Sequence, residues 1–189
     1  MNVYVALLHF PVYNKNKEVV TTCVTGLDLS DIARSCRTYG IKRYYIVNPI
    51  SGQRQFAERI LNHWKKEESQ DFNPTRVEAL DLISIKKELK EVIDEVGKNG
   101  SPVTVATSAR QKGSYTFGKL RDEIKRSKKP YLILLGTGSG LCEEVIDGAD
   151  IVLSPITGRT EYNHLSVRGA AAVILDRLFG DMVTEKNWQ

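Results

Sequence analysis

The stretch Leu132-Ile133-Leu134-Leu135-Gly136-Thr137-Gly138-Ser139-Gly140-Leu141 decides how the rest of the chain is read. Its first four residues are apolar and uncharged, as expected of a strand buried on both faces in a parallel sheet. The glycines that follow at alternate positions permit positive φ, bring backbone close to a ligand and leave amides uncovered by side chains. A strand that ends in such a turn and then enters a short helix is a candidate edge for a nucleoside or an anionic group.

Outward from this segment, short apolar runs alternate with amphipathic stretches. Strands are predicted at 3–8, 43–47, 76–79, 103–106, 131–135 and 151–153. Helices are predicted at 29–39, 53–68, 85–96, 116–127, 142–146 and 164–179. This alternation predicts an α/β domain with a mainly parallel sheet flanked by helices. Asp28 or Ser30, Ser84 and Asn163 are positioned to cap helix starts, and Gly40, Gly97 and Gly180 sit just past helix ends. Val167, Ala170, Ala171, Ile174 and Leu178 recur at helical spacing, so the last helix has one apolar face for the core or a subunit contact.

Composition bounds the function. A chain of 189 residues, 41% hydrophobic and 26% charged, has the size and balance of one globular domain and excludes disordered or collagenous classes. Residues 1–180 are read as that domain and 181–189 as a tail. The apolar start lacks a basic leader and a cleavage site, and no run approaches the roughly 20 apolar residues of a membrane helix. A cytoplasmic location without membrane contact is therefore expected. Cys23, Cys36 and Cys142 form no Cys-x-x-Cys pair, and His9, His63 and His164 are dispersed, so neither a disulfide framework nor a metal is expected. A net charge of +4 excludes binding to nucleic acid by charge alone. Most basic clusters, such as Lys65-Lys66 and Lys86-Lys87, have carboxylates nearby and read as solvated helix faces. Trp64 and Trp188 read as packing or terminal residues.

Taken alone, the glycine turn is similar to the first motif of Rossmann-like methyltransferases or to a dinucleotide fingerprint. Position argues against both, because such domains carry the motif after their first strand and need several further strand–helix units. Here only 141–189 remain, and strand 151–153 ends at Ser154-Pro155 with no acidic residue for ribose hydroxyls.

A late glycine turn followed by a strand, a proline-bearing loop and a terminal helix resembles the SPOUT (α/β-knot) superfamily of S-adenosylmethionine-dependent RNA methyltransferases. The resemblance rests on Asp28 to Gly40, on Ala106-Thr107-Ser108-Ala109-Arg110, on Leu135 to Leu141, and on Leu153 to Gly158 continued by Tyr162 to Ala170. It implies a C-terminal trefoil knot, a homodimer, and methyl transfer to a ribose 2′-hydroxyl or a base nitrogen of tRNA or rRNA. It also implies that S-adenosylmethionine lies among Thr107 and Ser108, then Leu135, Gly136, Thr137, Gly138 and Gly140, then Ser154, Pro155, Ile156, Asn163, Leu165 and Ser166, held mostly by backbone groups. Such chemistry needs chiefly in-line alignment, so positioning is the largest contribution of the protein.

Arg34 matches the arginine that orients the ribose hydroxyl in ribose-methylating relatives. The chain departs from their pattern at Asp28, where they carry asparagine, in the absence of an acidic residue between Gly136 and Gly140, and at Tyr162-Asn163-His164. These departures keep base methylation open, with Glu161 or His164 as proton acceptor. Arg110, Lys112 and Arg159 on neighbouring loops are candidates for RNA phosphates. The alternative reading is a non-catalytic RNA- or nucleotide-binding module that keeps the fold.

Overall fold

Val3–Leu8 (β1), buried along its whole length, pairs in parallel with two strands distant in sequence. The computed structural model describes residues 2–64, 73–110 and 115–180. Lys65, Lys66, Lys112, Trp188, the end of the helix expected at 53–68 and the tail 181–189 lie outside the described residues. The further strands are β2 (Val12–Tyr13), β3 (Val19–Val20), β4 (Arg43–Val47), β5 (Ile83–Lys86), β6 (Val103–Thr107), β7 (Tyr131–Gly136) and β8 (Ile151–Leu153). The α-helices are α1 (Gly26–Thr38), α2 (Ser51–Trp64), α3 (Pro74–Leu80), α4 (Leu89–Val96), α5 (Phe117–Arg126), α6 (Glu143–Asp147) and α7 (Val167–Phe179).

The main sheet runs β5-β4-β1-β7-β6-β8, every pair parallel, and β2 and β3 form a separate antiparallel hairpin. Side chains of β1 alternate between two cores, as the period of a strand requires. Val3, Val5 and Leu7 pack with Leu29, Ile32 and Ala33 of α1, Leu120 of α5, and Ala171, Ile174 and Leu178 of α7. Tyr4, Ala6 and Leu8 pack with Val92 and Val96 of α4, Val12 of the hairpin and Ile146 of α6. The helix after β1 thus covers one face and the helix after β7 the other. Adjacent strands that feed helices on opposite faces open a crevice at their carboxyl ends, the place where open α/β sheets bind ligands. Trp64 packs against the first core, with the Arg76 guanidinium 4.7 Å from its ring centre, in line with the packing role read from the sequence.

Five local expectations are corrected. Residues 76–79 are helical, because Asn73 caps α3 by accepting the Arg76 amide at 3.1 Å and Pro74 opens it. The neighbouring strand is Ile83–Lys86, so Ser84 lies in the sheet and caps nothing, and α4 begins only at Leu89. Helix α1 starts at Gly26 with Thr25 as cap; Asp28 sits in its first turn, its amide donating to Thr25 Oγ1 at 3.1 Å. Helix α7 starts at Val167 with Ser166 as cap, while Asn163 donates instead to the Ala109 carbonyl at 2.9 Å. The hairpin formed by β2 and β3 has no counterpart in the expected elements.

Replacing Asn73 by alanine leaves the α3 amides uncapped and should lower unfolding free energy by about 1 kcal/mol. Denaturant titration checks this; an unchanged midpoint would contradict the capped helix.

Candidate active site

A cavity of about 990 Å³ opens at the carboxyl ends of β7, β6 and β8, beside the crevice between β1 and β7. Loops that leave the buried strands β6, β7 and β8 form much of its wall, so a rigid sheet positions them, and residues of α1, α5, α6 and α7 complete it.

The glycine turn forms the floor, and the hairpin holds it down. Ser139 donates its amide to the Tyr13 carbonyl at 2.7 Å, and the Tyr13 amide donates to the Gly140 carbonyl at 2.9 Å. Gly138 has φ +60, and a Cβ there would stand 2.7 Å from the Tyr13 oxygen. A Cβ at Gly136 would meet the Leu141 amide nitrogen at 2.6 Å. The amides of Thr137 and Gly140 also have internal acceptors, the carbonyls of Leu8 at 3.2 Å and Thr137 at 3.0 Å. The Gly140 amide is thus used within the protein and not left open for a ligand, and close packing is a second reason for glycine at Gly136 and Gly138.

A chain of side-chain hydrogen bonds runs beneath it. Thr137 Oγ1 donates to the Leu8 carbonyl at 3.0 Å, so the Thr22 hydroxyl, 2.5 Å away, is the donor between the two threonines. With its only proton so used, Thr22 accepts from His9 Nδ1 at 2.9 Å. His9 is fully buried and its Nε2 has no hydrogen-bond partner. Burial pushes its pKa down to about 4, and the charge of Asp28 offsets only part of that shift.

The sequence-derived cofactor residues converge here. Thr107 and Ser108 at the end of β6, Leu135 to Gly138 and Gly140 at and beyond the end of β7, Ser154, Pro155 and Ile156 after β8, and Asn163, Leu165 and Ser166 before α7 all line the cavity. Thr107 turns its hydroxyl to the Leu134 carbonyl at 2.9 Å, and the Asn163 bond to Ala109 ties the last loop to the first. His164 and Arg110 also line the cavity; both are exposed. His164 meets Tyr162 edge-on at 5.5 Å between ring centres. Arg34, Glu161 and Arg159 are exposed and are not part of the cavity wall. Tyr13, Lys17, Thr22, Asp28 and Glu143 line it as well and were not foreseen as site residues. For Tyr13, Lys17 and Thr22 the available signal was the density of hydroxyl and basic residues between β1 and α1, a stretch to which no element was assigned.

The sequence profile of a family described as "SAM-dependent RNA methyltransferase" matches residues 2–180. An uncharacterized protein of Aquifex aeolicus is 42% identical over 181 residues, covering 94% of this chain and 88% of that protein. A tRNA (guanine-N(1)-)-methyltransferase of Nitratidesulfovibrio vulgaris is 40% identical over 182 residues; the match covers 95% of this chain but 42% of that enzyme. This chain thus spans less than half the length of that relative. Among solved structures, a SpoU methyltransferase of Streptomyces viridochromogenes in complex with the cofactor AdoMet superimposes with a TM-score of 0.56 at 16% identity, over 93% of this chain and 56% of that one.

Two predictions follow from this geometry. Gly138→Ala forces a side chain onto the Tyr13 carbonyl and should cost about 1–3 kcal/mol of stability, whereas Gly52→Ala, with nothing within 4 Å, should not; paired denaturation curves compare them. The unfolded chain, with an ordinary histidine, binds one proton more than the folded chain between pH 6.5 and about 4, so the His9 contribution is complete above pH 6.5 and is lost on acidification through that window. The loss amounts to roughly 3 kcal/mol, and His9→Asn, which keeps the donor to Thr22, should remove that part of the pH dependence of the unfolding free energy.

Proposed function

Given that the chain belongs to the SAM-dependent RNA methyltransferase family, we propose that its cavity holds S-adenosylmethionine and that the protein methylates tRNA at a base nitrogen or a ribose 2′-hydroxyl. The observation that carries this reading is the convergence of three loops, separate in sequence, on one cavity at the edge of the sheet.

The residues present fit the cofactor. The cavity lies within the roughly 300–1,000 Å³ range of small-molecule sites. Leu135, Leu141, Leu153 and Ile156 offer apolar surface for an adenine ring, and Thr107, Ser108, Thr137 and Ser139 offer polar groups for ribose and base edges. When bound, S-adenosylmethionine supplies an electrophilic methyl group. The work of the chain is then to hold the nucleoside, exclude water and accept a proton from the methyl acceptor.

For that proton, His164 is supported over Glu161 because it lines the cavity and Glu161 does not. The His164 imidazole takes the proton as the lone pair of the acceptor oxygen or nitrogen moves to carbon. Arg110 lies at the same cavity, and Arg159 projects from the loop between β8 and α7; both are proposed to hold RNA phosphates. The tRNA class is supported by the name of the Nitratidesulfovibrio vulgaris relative, although that enzyme is more than twice as long as the matching part. The trefoil knot belongs to the same reading: 154–166 links edge strand β8 to α7, which packs back on α1 and β7 near the centre of the sheet. The exposed Tyr162 and Leu165 on that link support a homodimer contact.

Incubation with methyl-labelled cofactor and total tRNA, followed by nucleoside mass analysis, identifies the modified atom. His164→Ala should lower turnover by about 10²-fold while cofactor affinity stays within about twofold. Cofactor binding without label in any RNA would leave only the non-catalytic module.

A further inference from the structure

Asp28 is a carboxylate without a cation. Its side chain lines the cavity and the residue is only 8% exposed. Oδ2 accepts from the Thr25 hydroxyl at 2.6 Å, a neutral partner. Among the described residues no lysine, arginine or histidine forms an ion pair with it, and the cations of the cavity wall, Lys17 and Arg110, are exposed. The nearby basic side chain that could neutralise it is His9, whose charge interaction with Asp28 is felt. Yet His9 is fully buried, gives its Nδ1 proton to Thr22 and leaves Nε2 as a bare acceptor, so it stays neutral at physiological pH.

Removing a carboxylate from water is costly unless a positive charge replaces the lost hydration, and buried charges in folded proteins are therefore paired or bind ions. Here the protein supplies only the partial positive charge of the α1 amino end and no cationic side chain. A cavity built this way suits a ligand that brings a positive charge with it.

We propose that the Asp28 carboxylate is the counter-charge for the sulfonium of S-adenosylmethionine, and that it sets the preference of the site for cofactor over the demethylated product. The proposal rests on the cofactor reading given above. The amino acid end of the cofactor is a zwitterion in both compounds; the sulfonium is the charge that methyl transfer removes. Asp28 therefore favours the loaded ligand and loses its partner once the product is a neutral thioether. No bond to Asp28 is made or broken; its role is electrostatic and specificity-determining.

Calorimetric titration of S-adenosylmethionine and S-adenosylhomocysteine into wild type and Asp28→Asn separates this role from a structural one. The amide still accepts from Thr25, so the start of α1 is retained. The variant should bind S-adenosylmethionine about tenfold more weakly while affinity for S-adenosylhomocysteine changes less than about twofold. Equal weakening of both ligands would reduce Asp28 to a shaping residue, and unchanged affinity for both would remove it from the site; either result overturns the proposal. Asp28→Ser, short, polar and uncharged, gives the same comparison if the amide variant does not fold. Wild type that binds neither compound would refute the cofactor reading itself, a failure distinct from loss of the selectivity alone.

Discussion

The contact on which the site depends is the clamp between the hairpin and the glycine turn. It joins three parts of the chain: the end of β1 through Leu8, the hairpin through Tyr13 and Thr22, and the turn from Thr137 to Gly140. The strands beneath it are fixed by ladder pairing on both sides and by burial, since β1 and β7 bury almost every side chain between two helical layers. The loops above it have no such support. Without the clamp, the glycines that permit the turn would also permit many others, at an entropic cost when a ligand ordered them. Preorganised by internal hydrogen bonds, the floor is ready before anything binds, which is where affinity for a flexible nucleoside is gained.

The order of the sheet explains why the cavity lies where it does. β1 and β7 run parallel side by side, yet the helices that follow them, α1 and α6, lie on opposite faces of the sheet, so a gap opens between their first turns. The loops after β6 and β8 add walls on one side of that gap. What is left open is a site walled by loops tied to buried strands and by packed helices, while its rim carries the exposed His164 and Leu165. A firm floor with an exposed rim suits a small cofactor held below a large polymer.

Much of this was legible in the sequence, and what was missed has a common cause. Strands β1 and β4 were read to the residue, because unbroken apolar runs between turn signals are a local property. The loops that meet at the cavity were legible because glycine, proline and small hydroxyl residues punctuate strand ends in an order shared with a known superfamily. The helix at Pro74–Leu80 was misread although Asn73 and Pro74 gave its start, because Val77 and the apolar residues after it dominated the short window. The docking of the hairpin on the glycine turn, the neutral state of His9 and the isolation of Asp28 depend on pairs such as Thr22 with Thr137 and Tyr13 with Ser139, far apart in the chain. No local pattern announces them. Asp28 itself was noticed twice, as a cap and as a departure from the expected asparagine, and neither view disclosed that it faces a cavity.

Helix α1 carries both Asp28 and Arg34, and its geometry divides their roles. Six residues along an α-helix amount to a rise of about 9 Å and a turn of about 240° beyond one full revolution. A first turn that points Asp28 into the cavity therefore aims Arg34 elsewhere, and Arg34 is exposed with no side-chain partner among the described residues. The same helix is held to α7 by burial and by the Asp31–Arg168 ion pair at 3.8 Å, so it does not rotate freely to bring Arg34 round.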